Sequence, residues 1–127
     1  MSKSAPELTE AEWVIIKAVW SCEPCAAPTI QELLAPTQGW AYSTVRTLMD
    51  RMVTKGFLRS EKIRNLTLYR SVVTREDAQR GDLLHTLKHA FDGALTPMMQ
   101  CLLESQKLSP GDIEELEALI KAKKQKR

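Results

Sequence analysis

The sequence lacks the features that define several classes of protein. Its longest uninterrupted apolar run, Trp13–Ile16, is far shorter than the ~20 residues that a membrane-spanning helix needs. The first residues, Met-Ser-Lys-Ser, contain no apolar segment of the kind found in signal peptides. With 5 Gly, 6 Pro and 43% hydrophobic residues, the chain is neither collagen-like nor disordered in composition. We therefore expect a globular protein of the cytoplasm that does not insert into membranes.

Cysteine is scarce as well. Three Cys without an export signal predict reduced thiols and no disulfide framework. Cys22 and Cys25 form a Cys-x-Pro-Cys pattern similar to that of thioredoxin-type proteins, but the segment before it has a helical pattern, not that of a strand. Two thiols alone cannot complete a four-ligand zinc site. An inert turn is the favoured interpretation, a redox or metal role for this pair is the alternative, and a small thiol oxidoreductase is a contrasting class.

Signatures of catalysis are missing too. The sequence shows no Ser/His/Asp arrangement, no glycine-rich phosphate loop and no paired-carboxylate site. His85 and His89 are spaced to share one face of a helix, but no Glu follows His85 to make the His-Glu-x-x-His signature. We expect exposed histidines, no cofactor and no enzymatic activity.

What the chain does have is a concentrated basic segment. The net charge is only +2, yet residues 42–70 carry seven Lys/Arg against two Asp/Glu. Such a segment is a candidate contact surface for a polyanion, although a solvated charged face is the simpler alternative. Its place in the fold has to decide between them.

The first half of the chain has the element order of a winged helix-turn-helix. Thr9 and Glu12 form a capping box that begins a first helix, which ends near Cys22. We expect a second, short helix that Pro28 opens and Pro36 stops. Its predicted apolar side consists of Ile30, Leu33 and Leu34.

A third helix is predicted from Tyr42 to Lys55, with Gly56 ending it in the left-handed conformation. Its apolar face consists of Val45, Leu48, Met49 and Met52. Two short β-rich segments, Phe57–Ile63 and Leu66–Val73, then predict a hairpin wing. We expect Asn65 to supply the left-handed residue of its turn.

Three further amphipathic helices follow, beginning near Thr74, Leu95 and Ser109, and a basic tail starts at Lys121. A domain of ~70 residues cannot bury all their apolar stripes, so we expect a homodimer, with a ligand pocket as the less favoured alternative. The predicted division is a winged helix-turn-helix domain at 1–73 and a helical dimerisation domain at 74–127. The predicted interface consists of Leu84, Leu87, Phe91, Leu95, Met98, Met99, Leu102, Leu103, Ile113, Leu116 and Leu119.

Particular sequence motifs connect the chain to a known family. The segments are Leu8-Thr-Glu-Ala-Glu-Trp13, Tyr42-Ser-Thr-Val-Arg-Thr-Leu48, Lys55-Gly-Phe-Leu58 and Leu108-Ser-Pro-Gly-Asp-Ile-Glu-Glu-Leu116. Together they resemble the penicillinase-repressor family, whose members repress β-lactamase, methicillin-resistance and copper-transport genes in bacteria. The resemblance implies a mainly α-helical protein with a small β-hairpin wing, which dimerises through its C-terminal helices and binds an inverted-repeat operator in double-stranded DNA.

The resemblance also implies a mode of induction. β-Lactamase repressors are cleaved within the dimerisation helices in response to a membrane receptor, and the matching bond here is Cys101–Leu102. Staphylococcal members have a pair resembling Asn-Phe at that bond, so this sequence departs from them. The paired Cys-x-Cys motifs of the copper-responsive branch are absent from the Lys/Gln/Arg-rich end of this chain.

By matching position, the resemblance assigns DNA contacts to the third helix. They are Ser43, Thr44, Arg46 and Thr47, with Arg51 further along. Arg46 can pair bidentately with guanine, and the Thr and Ser hydroxyls can contact base edges or phosphates. From their place at the tip of the wing, we expect Lys62 and Arg64 to contact the flanking backbone. The alternatives are surface arginines paired with Asp50, or a helical protein–protein module.

Overall fold

The computed structural model describes residues 7–126, which form six α-helices and one antiparallel two-stranded sheet. The elements are α1 (Glu10–Cys22), α2 (Ala27–Gln38), α3 (Tyr42–Thr54), β1 (Leu58–Ile63), β2 (Leu66–Ser71), α4 (Arg75–Phe91), α5 (Leu95–Ser105) and α6 (Pro110–Lys126). This architecture confirms the predicted class, a mainly α-helical protein with a β-hairpin wing.

The chain divides into two compact units, one that extends to His85 and one that begins at Thr86. The buried hydrophobic core lies in the first unit, where α1, α2, α3 and the sheet supply its largest buried side chains. They include Ile15, Ile16, Val19, Ile30, Val45, Met49, Met52, Leu58 and Tyr69. The predicted division into a winged helix-turn-helix domain at 1–73 and a dimerisation domain at 74–127 stays a prediction.

The start of α1 is fixed by its capping box and by an ion pair. The Thr9 hydroxyl accepts a hydrogen bond from the Glu12 N–H at 3.2 Å, and the Glu12 carboxylate accepts one from the Thr9 N–H at 2.9 Å. The same carboxylate, only 5% exposed, also accepts a hydrogen bond from Lys55 Nζ, just after α3. Burial opposes ionisation of Glu12, but the contacts with Lys55 and Thr9 outweigh it and lower the pKa below the usual 4.5. One side chain thus connects the start of α1 to the end of α3.

Helix α2 differs from its prediction in two ways. The expected stop at Pro36 is wrong, because the helix continues to Gln38 and ends where Gly39 adopts a φ of 65°. A proline removes one backbone hydrogen bond, but its fixed φ is compatible with a helix, so Pro36 weakens α2 without ending it. Leu33, expected on the apolar side, is 49% exposed, whereas Ile30 and Leu34 are buried. The buried face of α2 is therefore narrower than its composition indicates.

The hairpin has the predicted position but a different turn residue. Ile63 pairs with Leu66 at its tip, and both strands stop short of their predicted outer ends. The prediction that Asn65 is left-handed is wrong, since Arg64 has the positive φ, 58°. Cys25, in the α1–α2 connection, pairs with Tyr69 through backbone hydrogen bonds of 3.1 and 2.8 Å. This bridge attaches β2 to the helical part of the first unit.

The last three helices begin close to where the sequence predicts. The Thr74 hydroxyl accepts from the Asp77 N–H at 3.0 Å, and Ser109 and Asp112 exchange bonds of 3.0 and 3.2 Å before α6. The basic residues that begin at Lys121 are exposed and belong to α6, which remains helical through Lys126. Neither α5 nor α6 contains a buried residue within the described range.

No helix between residues 7 and 126 is long and apolar enough to cross a lipid bilayer.

Replacing Glu12 by Gln should lower the free energy of unfolding by about 1–2 kcal/mol, because it removes the ion pair with Lys55 and weakens the hydrogen bond that the Glu12 side chain accepts from the Thr9 N–H. Urea unfolding at neutral pH measures this. The control is Glu10→Gln, an exposed acid in the same first turn.

The difference in free energy of unfolding between the wild type and Glu12→Gln should also depend on pH. Because folding lowers the pKa of Glu12, its stabilisation is present above the ordinary pKa of 4.5 and disappears as the pH falls through the folded value. Equal stabilities of the wild type and Glu12→Gln at neutral pH would contradict this account.

Candidate nucleic-acid interface

Helix α3 has one face buried in the core and one face open to solvent. Val45, Met49 and Met52 are fully buried, which fixes the rotation of the helix about its axis. The polar side chains Ser43, Thr44, Thr47 and Arg51 are consequently all exposed. The N-cap, Ala41, makes no side-chain hydrogen bond, and the first turn holds no acidic residue. The amino end of α3 therefore keeps its partial positive charge, which favours phosphate.

A shallow groove of about 470 Å³ runs along the exposed face of α3. It is lined by Ala11, Trp40, Ser43, Thr44, Thr47, Leu48 and Arg51. Four of the five side chains predicted to contact DNA from this helix therefore share one concave surface. Their hydroxyls and one guanidinium can donate hydrogen bonds, while Trp40 and Leu48 supply apolar area. This combination suits a phosphodiester with its sugar.

Arg46 lies outside this groove, in a network of its own. Its Nε is 3.2 and 3.3 Å from the two carboxylate oxygens of Asp50, one helical turn further along α3. One of its terminal nitrogens donates to the Tyr42 hydroxyl at 3.2 Å. The hydrogen bond that Arg46 donates to Tyr42, followed by the charges around the site, raises the pKa of Arg46, which stays positively charged. The pairing of Arg46 with Asp50, considered from sequence as an alternative to DNA contact, is thus present in the structure.

Tyr69 extends this network into the core. Its hydroxyl donates to Asp50 Oδ1 at 2.9 Å, although the residue is only 1% exposed. Burial, followed by the contact with the Asp50 carboxylate, raises the pKa of Tyr69 to about 12. The wing and α3 are therefore joined by a polar contact as well as by hydrophobic packing.

The wing carries its basic residues on different surfaces. Lys62 and Arg64 are exposed as predicted, Lys62 in β1 and Arg64 in the turn. Strand alternation places Lys62 on the same face as Tyr69. Arg59 and Arg70 lie directly opposite each other on the other face, a like-charge pair that destabilises a hairpin unless an anion compensates it. Both contribute to the positive charge of residues 42–70, but no local pattern in the sequence indicates that they lie opposite each other.

Tyr42 and Tyr69 have no counterpart among the predicted contacts, and Asp50 is predicted only as a partner of surface arginines. The spacing of Tyr42, Arg46 and Asp50 in steps of four residues could have revealed the helical part of the network. No local pattern could have revealed Tyr69, which belongs to a strand.

The geometry does not favour the alternative role for Cys22 and Cys25. Burial, followed by the neighbouring Cys22 thiol, raises the pKa of Cys25 to about 12, so this thiol stays protonated and unreactive. Cys22 donates to the Ala18 carbonyl at 3.3 Å. Nowhere in residues 7–126 do three or more His, Cys, Asp or Glu side chains gather to hold a metal.

Two other sequence features lie in the second half of the chain. His85 Nδ1 is 3.3 Å from the Glu7 carboxylate oxygen Oε2. Cys101 and Leu102, which match the cleaved bond of β-lactamase repressors, are both exposed on α5.

Replacing Tyr69 by Phe should lower stability near neutral pH by about 1 kcal/mol, because Asp50 loses a hydrogen bond that formed in a buried setting. The Tyr69 phenol keeps its proton in the folded protein up to a higher pH than in the unfolded chain, where it is lost near pH 10. The extra free energy of unfolding of the wild type over Tyr69→Phe should therefore persist below pH 10 and disappear as the pH rises towards 12.

Urea unfolding of both proteins across this alkaline range measures the difference. Tyr42→Phe, which removes an exposed phenol from the same network, is the control. A constant difference between wild type and Tyr69→Phe from pH 8 to about 11.5 would contradict the assigned cause.

Comparison with known proteins agrees with this architecture. Residues 8–122 match the family model described as Penicillinase repressor. A 16.5 kDa protein of Latilactobacillus sakei, from the ptsI 3' region, is 30% identical over 97% of this chain and 84% of its own length. The methicillin resistance regulatory protein MecI of Staphylococcus aureus is 26% identical over 97% of this chain and 100% of its own.

A solved structure shares the fold. The monomeric form of Bacillus licheniformis BlaI, in complex with the blaP half-operator, superposes with a TM-score of 0.51 at 24% identity. The match covers 60% of this chain and 93% of that one. With the family model matching nearly the whole sequence, the chain belongs to the penicillinase repressor family.

Proposed function

We propose that this protein is a homodimeric transcriptional repressor that recognises an inverted-repeat operator and controls genes of the antibiotic-resistance type. The observation that carries the proposal is the exposed face of α3, where hydroxyls and arginines stand beside an uncapped helix N-terminus. Membership of the penicillinase repressor family supports it, as does the structural neighbour bound to its own half-operator. A repressor acts by occupying DNA and needs no catalytic step.

Within this proposal, α3 lies in the major groove. Arg46 reads a guanine, while Ser43, Thr44 and Thr47 contact base edges or phosphates and Arg51 contacts the backbone. Lys62 and Arg64 add contacts to the flanking phosphates from the wing. The support is that the core-facing residues of α3 leave all of these groups accessible on the first unit.

The dimer uses the apolar stripes of α4, α5 and α6. Large apolar side chains on these helices are exposed, among them Leu84, Leu95, Leu102, Leu103, Ile113 and Leu119. The remaining predicted interface residues, Leu87, Phe91, Met98, Met99 and Leu116, are half-buried. So many exposed apolar residues are typical of an interface, and a second copy of the chain is the occupant that an inverted-repeat operator requires.

Arg46→Ala should weaken binding to the protein's own promoter DNA by about 1–3 kcal/mol and relax base preference, because it removes the bidentate contact. The measurement is a titration at fixed salt with footprinting and an unrelated competitor duplex. Protection of an inverted repeat by the wild type is the expected result. Equal affinity of wild type and Arg46→Ala for that site would contradict the role of Arg46.

Lys62→Ala should weaken binding to all sequences alike and reduce the slope of log affinity against log salt by about one, because one phosphate contact is lost. Lys107→Ala, which removes an exposed lysine from the second unit, is the matched control and should leave the slope unchanged. If the slope is equal in the two variants, Lys62 makes no phosphate contact and the wing is not part of the DNA interface.

Leu102→Glu should convert the dimer to a monomer, because it places a charge in the apolar stripe of α5. Sedimentation equilibrium measures the association. Gln100→Glu introduces the same charge at an exposed polar position of this helix and should remain dimeric. A monomeric wild type at micromolar concentration would overturn the proposed assembly.

A further inference from the structure

We propose that Asp50 and Tyr69 are positioning residues for base recognition, which hold Arg46 by its Nε so that its terminal nitrogens face a guanine. The inference rests on the proposed function, since it concerns how the recognition helix reads DNA. It assigns a role to an acidic residue on a surface that has to approach phosphates.

The contacts of Arg46 leave enough of its N–H groups available to bind a guanine. A guanidinium has five N–H groups, and pairing with guanine O6 and N7 needs two of them. In the described part of the chain, the contacts with Asp50 and Tyr42 use the Nε–H and one N–H of a terminal nitrogen. Three donors remain, which is enough for a bidentate contact. The ion pair therefore does not compete with guanine for the same donors.

Asp50 is itself fixed from the core. Its Oδ1 accepts from the Tyr69 hydroxyl at 2.9 Å, and Tyr69 is held by nearly complete burial and by its backbone bridge to Cys25. The positioning therefore extends from the core through β2 to Asp50 and then to Arg46. A long, flexible arginine loses conformational entropy when it binds, and holding it in advance lowers that cost.

The competing explanation is an exposed ion pair of no functional consequence. The side chains of Arg46 and Asp50 are 42% and 55% exposed, and pairs of this kind contribute little to stability. Neutralising the carboxylate distinguishes the two explanations, because one predicts a change in affinity for all sequences and the other a change in selectivity between them. An incidental negative charge near DNA only weakens binding, so its removal strengthens binding to every sequence. A positioning residue supports discrimination, so its removal lowers selectivity.

The test begins with duplexes that the wild-type protein selects from a randomised pool. Each guanine of a selected duplex is replaced in turn by 7-deazaguanine, which lacks the N7 acceptor. The guanine read by Arg46 is the one whose replacement weakens the wild type but not Arg46→Ala. We expect a loss of roughly 5- to 150-fold for the wild type there, the equivalent of ~1–3 kcal/mol.

At that guanine, Asp50→Asn and Tyr69→Phe should reduce the discrimination against 7-deazaguanine by about 5-fold or more, while binding to unrelated duplexes is unchanged or stronger. Asp77→Asn is the matched control, because it neutralises an exposed aspartate that pairs with Arg80 at 3.0 Å on α4. It should keep the discrimination of the wild type. Because Asp50 is half-exposed, its variant should fold, and circular dichroism checks this.

The possible failures are distinct. If Asp50→Asn keeps the full discrimination of the wild type, or only binds all duplexes more tightly, the positioning role is overturned. If the wild type selects duplexes but no guanine depends on Arg46, the inference fails while DNA binding stands. If the wild type selects no duplex at all, the proposed function itself fails.

Discussion

The arrangement of the first unit depends on Tyr69, whose backbone and side chain have separate partners. Its N–H and carbonyl pair with Cys25, between α1 and α2, and its hydroxyl reaches Asp50 on α3. A two-stranded hairpin is marginally stable alone, so the wing needs such attachments. Because the same residue contacts α3, the wing and α3 cannot move independently without breaking this hydrogen bond. This hydrogen bond and the hydrophobic packing between α3 and the two strands together fix the distance between the wing and α3.

Much of this fold could be predicted from local sequence, and the failures have identifiable causes. The capping box of Thr9 and Glu12 and the left-handed Gly56 depend only on nearby backbone, and both occur as predicted. The prediction for Pro36 is wrong because the loss of one backbone hydrogen bond near its end does not stop α2, which continues to Gln38. The turn residue is wrongly predicted because Asn tolerates the left-handed region, whereas in the two-residue turn between Ile63 and Leu66 it is Arg64 that has the positive φ.

The candidate site was predictable only in part, for the same physical reason. The exposed face of α3 follows from helical periodicity, which places Ser43, Thr44 and Thr47 opposite the core-facing Val45 and Met49. Tyr69, which donates to Asp50, lies 19 residues away from it on a strand, and Lys55 lies 43 residues away from Glu12. Contacts at such separations depend on how elements pack, so no periodic pattern in the sequence encodes them.

An acidic residue on the helix that we propose reads DNA has a cost that needs an explanation. Affinity for DNA comes largely from neutralised phosphates, and Asp50 opposes it by placing a negative charge within the basic segment 42–70. Selectivity is a difference between two affinities, and a charge that weakens binding to every sequence while orienting Arg46 for one base increases that difference. The excess of bases in the segment supplies the affinity that Asp50 removes. In the proposed interface, the excess of bases therefore accounts for affinity, whereas the contacts of its few acids account for the discrimination between sequences.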